Sequence, residues 1–128
     1  RDLVRSRGLG DVYKRQKMYN HHIIDIEFET EAPCEEMEMF RNTLLDLCKE
    51  SGATVMNEYF HQFKEPYQGF TGVICLAESH VSIHTWPEHK KMAIDVFICN
   101  QEQEQMFLHL FNESFEMLNT RHSMIRRL

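Results

Sequence analysis

Apolar and polar residues alternate at several places along the chain, and each alternation predicts a half-buried β-strand. In residues 22–28, HIIDIEF, apolar side chains fall on one side and two acids fall on the other. Four further segments have a comparable strand composition: residues 53–63, 80–86, 93–99 and 120–128. Residues 72–77, GVICLA, are instead continuously apolar, which predicts a central strand covered on both faces.

Two other segments repeat their apolar residues at helical spacing. The first follows Pro33 and an acidic turn, ends near Gly52, and carries Phe40, Leu44, Leu47 and Cys48. The second covers residues 103–118 and carries Phe107, Leu110, Phe111, Phe115 and Leu118. The order of strand, helix, several strands, helix and short strand predicts an α+β two-layer sandwich. One mostly antiparallel sheet would carry both helices on one face.

The chain has 128 residues and a formal charge of -6, which predicts a single domain and argues against nucleic acid as a partner. No apolar run is long enough for a membrane span or resembles a signal peptide, so we expect a cytoplasmic protein without a membrane partner. The four cysteines show no CxxC spacing and are interpreted as reduced thiols. Cys34, Cys48 and Cys75 lie in apolar patterns and are predicted to pack in the core.

The first sixteen residues differ from the rest of the chain. They read RDLVRSRGLGDVYKRQ, lack a starting methionine, and hold five of the fourteen Lys and Arg residues. Their ending resembles a translated adaptor scar, so residues 1–16 are interpreted as non-native sequence and residues 17–128 as the domain. A genuine basic arm is the alternative.

Titratable side chains gather on one predicted sheet face. Alternation places His80, Ser82, His84 and Trp86 together, and it sends Asp95, Phe97 and Cys99 to the same side of the strand at residues 93–99. If these two strands are neighbours, histidines and a thiol share the face away from the helices. Such a face could form the floor of an active site.

Three interpretations of this face follow from the residue types alone. A zinc site would use His80, His84 and Cys99, but two histidines four residues apart on a strand lie about 13 Å apart. That distance is too long for one ion, so we predict no metal site. A Cys–His nucleophilic pair and ordinary half-buried strand histidines both stay open.

One long motif favours a specific chemistry. The segment GFTGVICLAESHVSIHTWPE, followed by DVFIC, closely resembles the self-processing core of the prokaryotic S-adenosylmethionine decarboxylases, which are pyruvoyl enzymes. The resemblance covers nearly all of residues 20–118 and is densest at residues 69–99.

The resemblance implies that the precursor, a zymogen, cuts its own chain between Glu78 and Ser79. The Ser79 hydroxyl would attack the Glu78 carbonyl to form an ester. Elimination of this ester would leave dehydroalanine, which tautomerises and is hydrolysed with loss of ammonia to a pyruvoyl group derived from Ser79. His84 matches the family's proton acceptor in this processing, and Thr71 matches a hydroxyl that supports it. The products would be a β chain that ends at Glu78 and an α chain that begins with the pyruvoyl group.

The resemblance also implies the catalytic and substrate-binding residues. The Ser79-derived pyruvoyl group would form a Schiff base with the amine of S-adenosylmethionine, and Cys99 matches the family's proton donor. Glu88 matches the acid that holds the ribose hydroxyls, and Phe63 matches the aromatic residue that stacks on adenine. A core phenylalanine is the equally weighted alternative for Phe63.

The chain departs from the family pattern at two places. Asn100 follows the cysteine where the family has glycine, although asparagine also tolerates the left-handed conformation that a turn there would need. The loop between Phe63 and Thr71 is about two residues longer than usual, which weakens the assignment of Phe63.

The predicted function is therefore a lyase, a pyruvoyl-dependent S-adenosylmethionine decarboxylase that supplies the aminopropyl donor for spermidine and polyamine biosynthesis. The resemblance further implies a homodimer of αβ units, in which two protomers could contribute to one site. Two alternatives are a pyruvoyl-dependent ornithine or arginine decarboxylase and a non-catalytic regulatory subunit of the same fold. The joint presence of Ser79, His84 and Cys99 argues against the regulatory subunit.

Overall fold

A computed structural model describes residues 19–115 and 118–128. In chain order, its main elements are β1 (Asn20–Glu27), α1 (Met37–Glu50), β2 (Val55–Gln62), β3 (Phe70–Leu76), β4 (Ser79–Trp86), β5 (Lys91–Phe97), α2 (Gln101–Ser114) and β6 (Asn119–Arg126). Short 3-10 helices occupy Ala32–Glu35 and Pro87–His89. The interpretation of residues 1–16 as a scar falls outside the described residues.

All six strands form one antiparallel sheet in the order β2-β3-β4-β5-β1-β6. Strands β2 to β5 follow one another as neighbours, and β1 lies between β5 and β6. The registers pair His80 with Phe97 and His84 with Ala93, so the start of β4 lies beside the end of β5. The predicted neighbourhood of the two strands is confirmed.

Both helices pack on one face of this sheet and contribute to a single apolar core. The predicted stripe of α1 is buried: Phe40, Leu44, Leu47 and Cys48. In α2, Phe107 and Phe111 are buried against the sheet. Gly52 has φ +94, a left-handed conformation that favours glycine, and it follows α1 as predicted. The α+β two-layer sandwich is therefore confirmed, and the other side of the sheet is called the open face below.

One strand prediction is wrong. Strand β3 alternates buried and exposed positions, and both Val73 and Cys75 are exposed on the open face. The apolar run at residues 72–77 is therefore covered on one face only, because both helices pack on the opposite side. Cys75 is not a core residue, whereas Cys34 and Cys48 are buried as predicted.

Neither α1 nor α2, each 14 residues long, is a candidate for crossing a membrane among the helices that the structure describes.

A chain of hydrogen-bonded polar side chains connects α2 to β1 and to the edge strand β6. Glu104 of α2 accepts a hydrogen bond from His22 Nε2 of β1 at 2.5 Å, and His22 Nδ1 lies 2.9 Å from His122 Nε2 of β6. Glu104 and His22 are each only 4% exposed. Their mutual contact satisfies two groups that would be costly to bury alone.

The lowered pKa values of two histidines predict that acid destabilises the fold. Burial, and then the neighbouring His22, lower the pKa of His122, while burial, and then His21, lower the pKa of His80. The unfolded chain therefore takes up protons first as the pH falls below about 6.5, so the free energy of unfolding decreases there. Urea denaturation at pH 7, 6 and 5 should show this decrease.

The variant His122→Gln should show a weaker pH dependence, because its amide keeps a hydrogen-bonding group without titrating. Replacement of the exposed His89 by Gln serves as the matched control. An unchanged pH dependence in His122→Gln would contradict this account.

Candidate active site

Ser79 lies at the start of β4, directly after a two-residue turn formed by Ala77 and Glu78. Leu76 and Ser79 form the last pair between β3 and β4, and the Ala77 N–H donates to the Thr54 carbonyl at 3.1 Å. Glu78 is exposed and Ser79 is half-buried. The predicted cleavage bond therefore lies in a surface turn whose two ends are held in place.

Ser79 and Cys99 are brought together by the antiparallel pairing of β4 and β5. The Cys99 backbone N–H donates to Ser79 Oγ at 3.0 Å. Both residues line a cavity of about 280 Å³, together with Ala53, Thr54, Leu76, Ala77, Glu78, Asn100 and Gln103. The residue predicted to carry the reactive group and the residue predicted to donate a proton thus share one cavity.

The environment of Cys99 favours the protonated thiol. Burial raises the pKa of Cys99, the Ser79 hydroxyl acts in the opposite direction, and the acidic Glu78 and Glu104 raise it further. A raised thiol pKa keeps the proton on sulfur at neutral pH. Cys99 can therefore hold a proton beside Ser79. By contrast, burial raises the pKa of Cys34 to about 11, in a position that lies apart from this cavity.

Asn100 positions Cys99 in a way that the sequence did not reveal. Its backbone is extended, with φ -102, so a left-handed turn is not present. Its side-chain oxygen instead accepts a hydrogen bond from the Gln103 N–H at 2.9 Å and caps α2. The cap of the helix therefore directly follows Cys99 and holds the backbone beside the N–H that contacts Ser79.

A second cavity lies at the other end of β4. There the Thr71 hydroxyl and His84 Nδ1 are 3.0 Å apart, on adjacent positions of β3 and β4. Together with Phe63 and Glu88 they line a cavity of about 470 Å³, whose other lining residues are Pro66, Tyr67, Gly69, Thr85, Trp86 and Pro87. Four residues that the family resemblance selected are thus gathered in one place.

Sequence reasoning missed two aromatic residues of this cavity. Trp86 was predicted only to share the face of His84, yet it is 42% exposed and lines the cavity. Tyr67 lies in the loop between β2 and β3 and received no role. The alternation along β4 was a usable signal for Trp86, whereas Tyr67 depends on the path of a loop that no periodicity describes.

Thr85 supports the second cavity through hydrogen bonds on the buried side of β4. Its buried hydroxyl donates to the Cys34 carbonyl at 2.7 Å and accepts from the Phe70 N–H at 2.9 Å. The 3-10 helix Ala32–Glu35 is thereby attached to β3 and β4 directly behind the cavity lining. Cys34 has a packing and hydrogen-bonding role there.

The two cavities are well separated within one chain. Ser79 and His84 are five residues apart on β4, which corresponds to about 16 Å along a strand.

The predicted common face holds for His80, Ser82, His84 and Trp86, which alternate with the buried Val81, Ile83 and Thr85. The prediction also placed the thiol on this face, but Cys99 lies beyond the end of β5, where strand alternation no longer sets the side, and it lines the cavity with Ser79.

Comparison with known proteins identifies the family to which this chain is related. The family model for S-adenosylmethionine decarboxylase matches residues 20–128. The chain belongs to the S-adenosylmethionine decarboxylase family. The family predicted from the sequence, which is a family of enzymes, is thereby confirmed.

Individual relatives of this family agree with the assignment. A protein from Synechococcus sp. (strain WH7803), named S-adenosylmethionine decarboxylase proenzyme, is 38% identical over 108 residues, which cover 83% of each chain. A protein of the same name from Thermodesulfovibrio yellowstonii is 38% identical over 81 residues, and this match spans 58% of that relative. The crystal structure of the adenosylmethionine decarboxylase from Aquifex aeolicus has a TM-score of 0.72 and 25% identity. The structural match covers 86% of this chain and 90% of the Aquifex aeolicus chain.

Gly69 should be essential for the shape of the second cavity. A Cβ at this position would lie 2.8 Å from Pro87 Cδ and 2.9 Å from the Thr85 carbonyl oxygen. Because that oxygen is backbone, Gly69→Ala must displace the loop from β4, and we expect a loss of about 1–3 kcal/mol of stability. Urea denaturation tests this, with Lys64→Ala in the same loop as the control. A wild-type midpoint for Gly69→Ala would contradict the predicted clash.

Proposed function

We propose that the protein cuts itself between Glu78 and Ser79 and then decarboxylates S-adenosylmethionine with a pyruvoyl group derived from Ser79. The observation that carries this proposal is the Ser79–Cys99 contact in a surface turn, in a chain whose family members are named proenzymes. The finer proposals are that the product serves spermidine synthesis and that the enzyme works in the cytoplasm. They rest on the family resemblance.

The residues around Ser79 fit such a group. After cleavage in the turn, β3 would still pair with β2 and β4, and β4 would still pair with β3 and β5, so the sheet can tolerate the break. A pyruvoyl group at this position would supply an electron-accepting carbonyl for the amine of the substrate. The Cys99 backbone N–H is placed to donate a hydrogen bond at this site, as it does to Ser79 Oγ.

Each remaining residue has a role that its environment supports. The Cys99 thiol holds the proton that replaces the lost carboxylate on the substrate carbon. The exposed Glu88 carboxylate accepts hydrogen bonds from the ribose hydroxyls, and Phe63 stacks on the adenine. In the processing step, His84 accepts a proton, while Thr71 holds its ring through Nδ1.

A complete site requires two protomers. Ser79 and Cys99 lie at one end of β4, and His84, Thr71 and Glu88 lie about 16 Å away at the other end. A second copy related by a twofold axis, with its sheet antiparallel to the first, would bring the Ser79 end of one copy beside the His84 end of the other. The symmetry would generate two identical sites. We therefore propose a homodimer of αβ units.

The open face supports this assembly. Tyr59 and Val73 pair across β2 and β3, with exposed fractions of 68% and 37%. Apolar side chains exposed side by side on a sheet indicate a surface that a partner covers. A second copy packed on the open face would bury them.

The cavity composition favours adenosine over a basic amino acid as the bound group. Phe63, Tyr67 and Trp86 surround the cavity, and Glu88 is its only acidic lining residue. Flat aromatic surfaces suit a purine, whereas the long cationic side chains of ornithine or arginine would call for more carboxylates.

Self-cleavage predicts a specific mass pattern. The purified protein should separate under denaturing conditions into a fragment ending at Glu78 and a fragment starting with the group made from Ser79. Ser79→Ala should remain a single chain, because it lacks the attacking hydroxyl. Ser82→Ala, three residues further along β4, is the matched control and should still be cut. Intact-mass spectrometry measures all three, and a wild-type chain that stays whole after long incubation would overturn the proposal.

The two-protomer site predicts cleavage in trans. His84→Ala alone should stay whole, and so should Ser79→Ala. In a mixed dimer, the intact Ser79 of one chain meets the intact His84 of the other, so the His84→Ala chain becomes cut. In the purified mixed dimer essentially every His84→Ala chain should therefore be cleaved, while the Ser79→Ala chain stays whole.

Co-expression of the two variants with different affinity tags, followed by intact-mass spectrometry of the doubly purified dimer, tests this prediction. Cleavage of His84→Ala on its own, or no cleavage in the mixed dimer, would contradict the two-protomer arrangement.

A further inference from the structure

The loop between β2 and β3 brings a third aromatic ring into the second cavity. Tyr67 lines it together with Phe63 and Trp86, and 43% of Tyr67 is exposed. Two rings are enough to cover the two faces of a purine. Tyr67, the third ring, is therefore available for a separate contact with the ligand.

The loop is fastened at its base on both strands. The Phe63 N–H donates to the Gly69 carbonyl at 2.8 Å, which closes the loop. Gln62 Nε2 donates to the Gln68 carbonyl at 2.8 Å and to the Glu35 carbonyl at 2.7 Å. The residue that follows Tyr67 is therefore tied to the strand that precedes the loop.

Glu35 provides a second tie through its side chain. Its Oε2 accepts a hydrogen bond from the Gln68 N–H at 2.9 Å, one residue after Tyr67. Glu35 ends the 3-10 helix Ala32–Glu35, whose Cys34 carbonyl binds Thr85 behind the cavity. The same short helix therefore supports both the loop and the strand that form the cavity. Fixing the loop before a ligand arrives reduces the entropy lost on binding.

We propose that Tyr67 is a specificity-determining residue that contacts the adenosine part of the substrate, and that Glu35 is its positioning residue. This inference rests on the proposed function, because it assumes that the second cavity receives adenosine. The ring of Tyr67 supplies most of the contact, so phenylalanine should replace it with little loss. Glu35 acts only through the loop, because its side chain bonds Gln68 and does not line the cavity.

The single tryptophan of the chain provides a direct measurement. Trp86 lies in the same cavity, so its fluorescence should change when a ligand binds there. The probe is 5′-methylthioadenosine, which contains the adenosine but lacks the aliphatic α-amine that would form a Schiff base. Its titration reports affinity without turnover, and kinetics with S-adenosylmethionine give KM and kcat separately.

Removal of the ring should weaken binding. We expect Tyr67→Ala and Tyr67→Leu to bind the probe about tenfold more weakly, in the range measured for loss of one base–aromatic contact. KM should rise by a similar factor while kcat stays within about twofold. Tyr67→Phe should keep nearly full affinity, and Lys64→Ala, an exposed change in the same loop, is the matched control. Urea denaturation confirms that each variant has folded with wild-type stability.

A double-mutant cycle tests the role of Glu35. Glu35→Ala should weaken binding in the same direction as Tyr67→Ala but to a smaller extent. The double variant should bind no more weakly than Tyr67→Ala alone, because Glu35 has no effect once the ring is absent. Additive losses would overturn the positioning role.

The outcomes separate this inference from the proposed function. If the wild type binds the probe and Tyr67→Ala and Tyr67→Leu bind it equally well, the inference is wrong and the proposed function stands. A fall in kcat with unchanged KM would also overturn it. If the wild type fails to bind the probe at all, the proposed function fails, and this inference fails with it.

Discussion

The antiparallel pairing of β4 with its neighbours is the constraint on which the rest of the structure depends. A strand has a fixed rise per residue and a fixed alternation of faces, so five residues place Ser79 and His84 far apart and on opposite faces. No side-chain rotation can join them. The same pairing places Cys99 beside Ser79 at one end and Thr71 beside His84 at the other. Rigidity within one chain thus gives each group its local geometry, and it is the reason that the proposed site draws on a second chain.

The elements that surround β4 serve to hold its two ends. At the Ser79 end, the Asn100 cap starts α2 directly after Cys99, and Glu104 in the first turn of that helix is anchored to His22. At the His84 end, Thr85 and the 3-10 helix Ala32–Glu35 form a hydrogen-bonded support. Polar groups are buried at both places, and each has a partner. These buried bonds fix backbone positions that apolar packing alone would leave less well defined.

Much of this arrangement could be predicted from the sequence, because local periodicity encodes it. The alternation along residues 80–86 gave the correct faces, and the helical stripe from Phe40 to Cys48 gave the buried side of α1. Periodicity failed where burial depends on the rest of the fold. Val73 and Cys75 belong to an apolar run, but only the packing of both helices on one side shows that they face outward.

Motif resemblance selected Ser79, Cys99, His84 and Glu88, yet it did not show that they form two groups. The role of Asn100 as a cap and the presence of Tyr67 in a cavity depend on backbone paths between elements, for which the sequence carries no repeating signal.

The position of the proposed break in the β3–β4 turn also changes what unfolding means for this protein. Before cleavage, the strands on either side of the turn are joined by two residues, and the chain can refold as one molecule. After cleavage, the same hydrogen bonds join two separate chains, so unfolding becomes dissociation. The stability of the mature form then depends on protein concentration, and diluted fragments must find each other again before the sheet can form. Maturation would therefore leave the fold nearly unchanged while making its loss far harder to reverse.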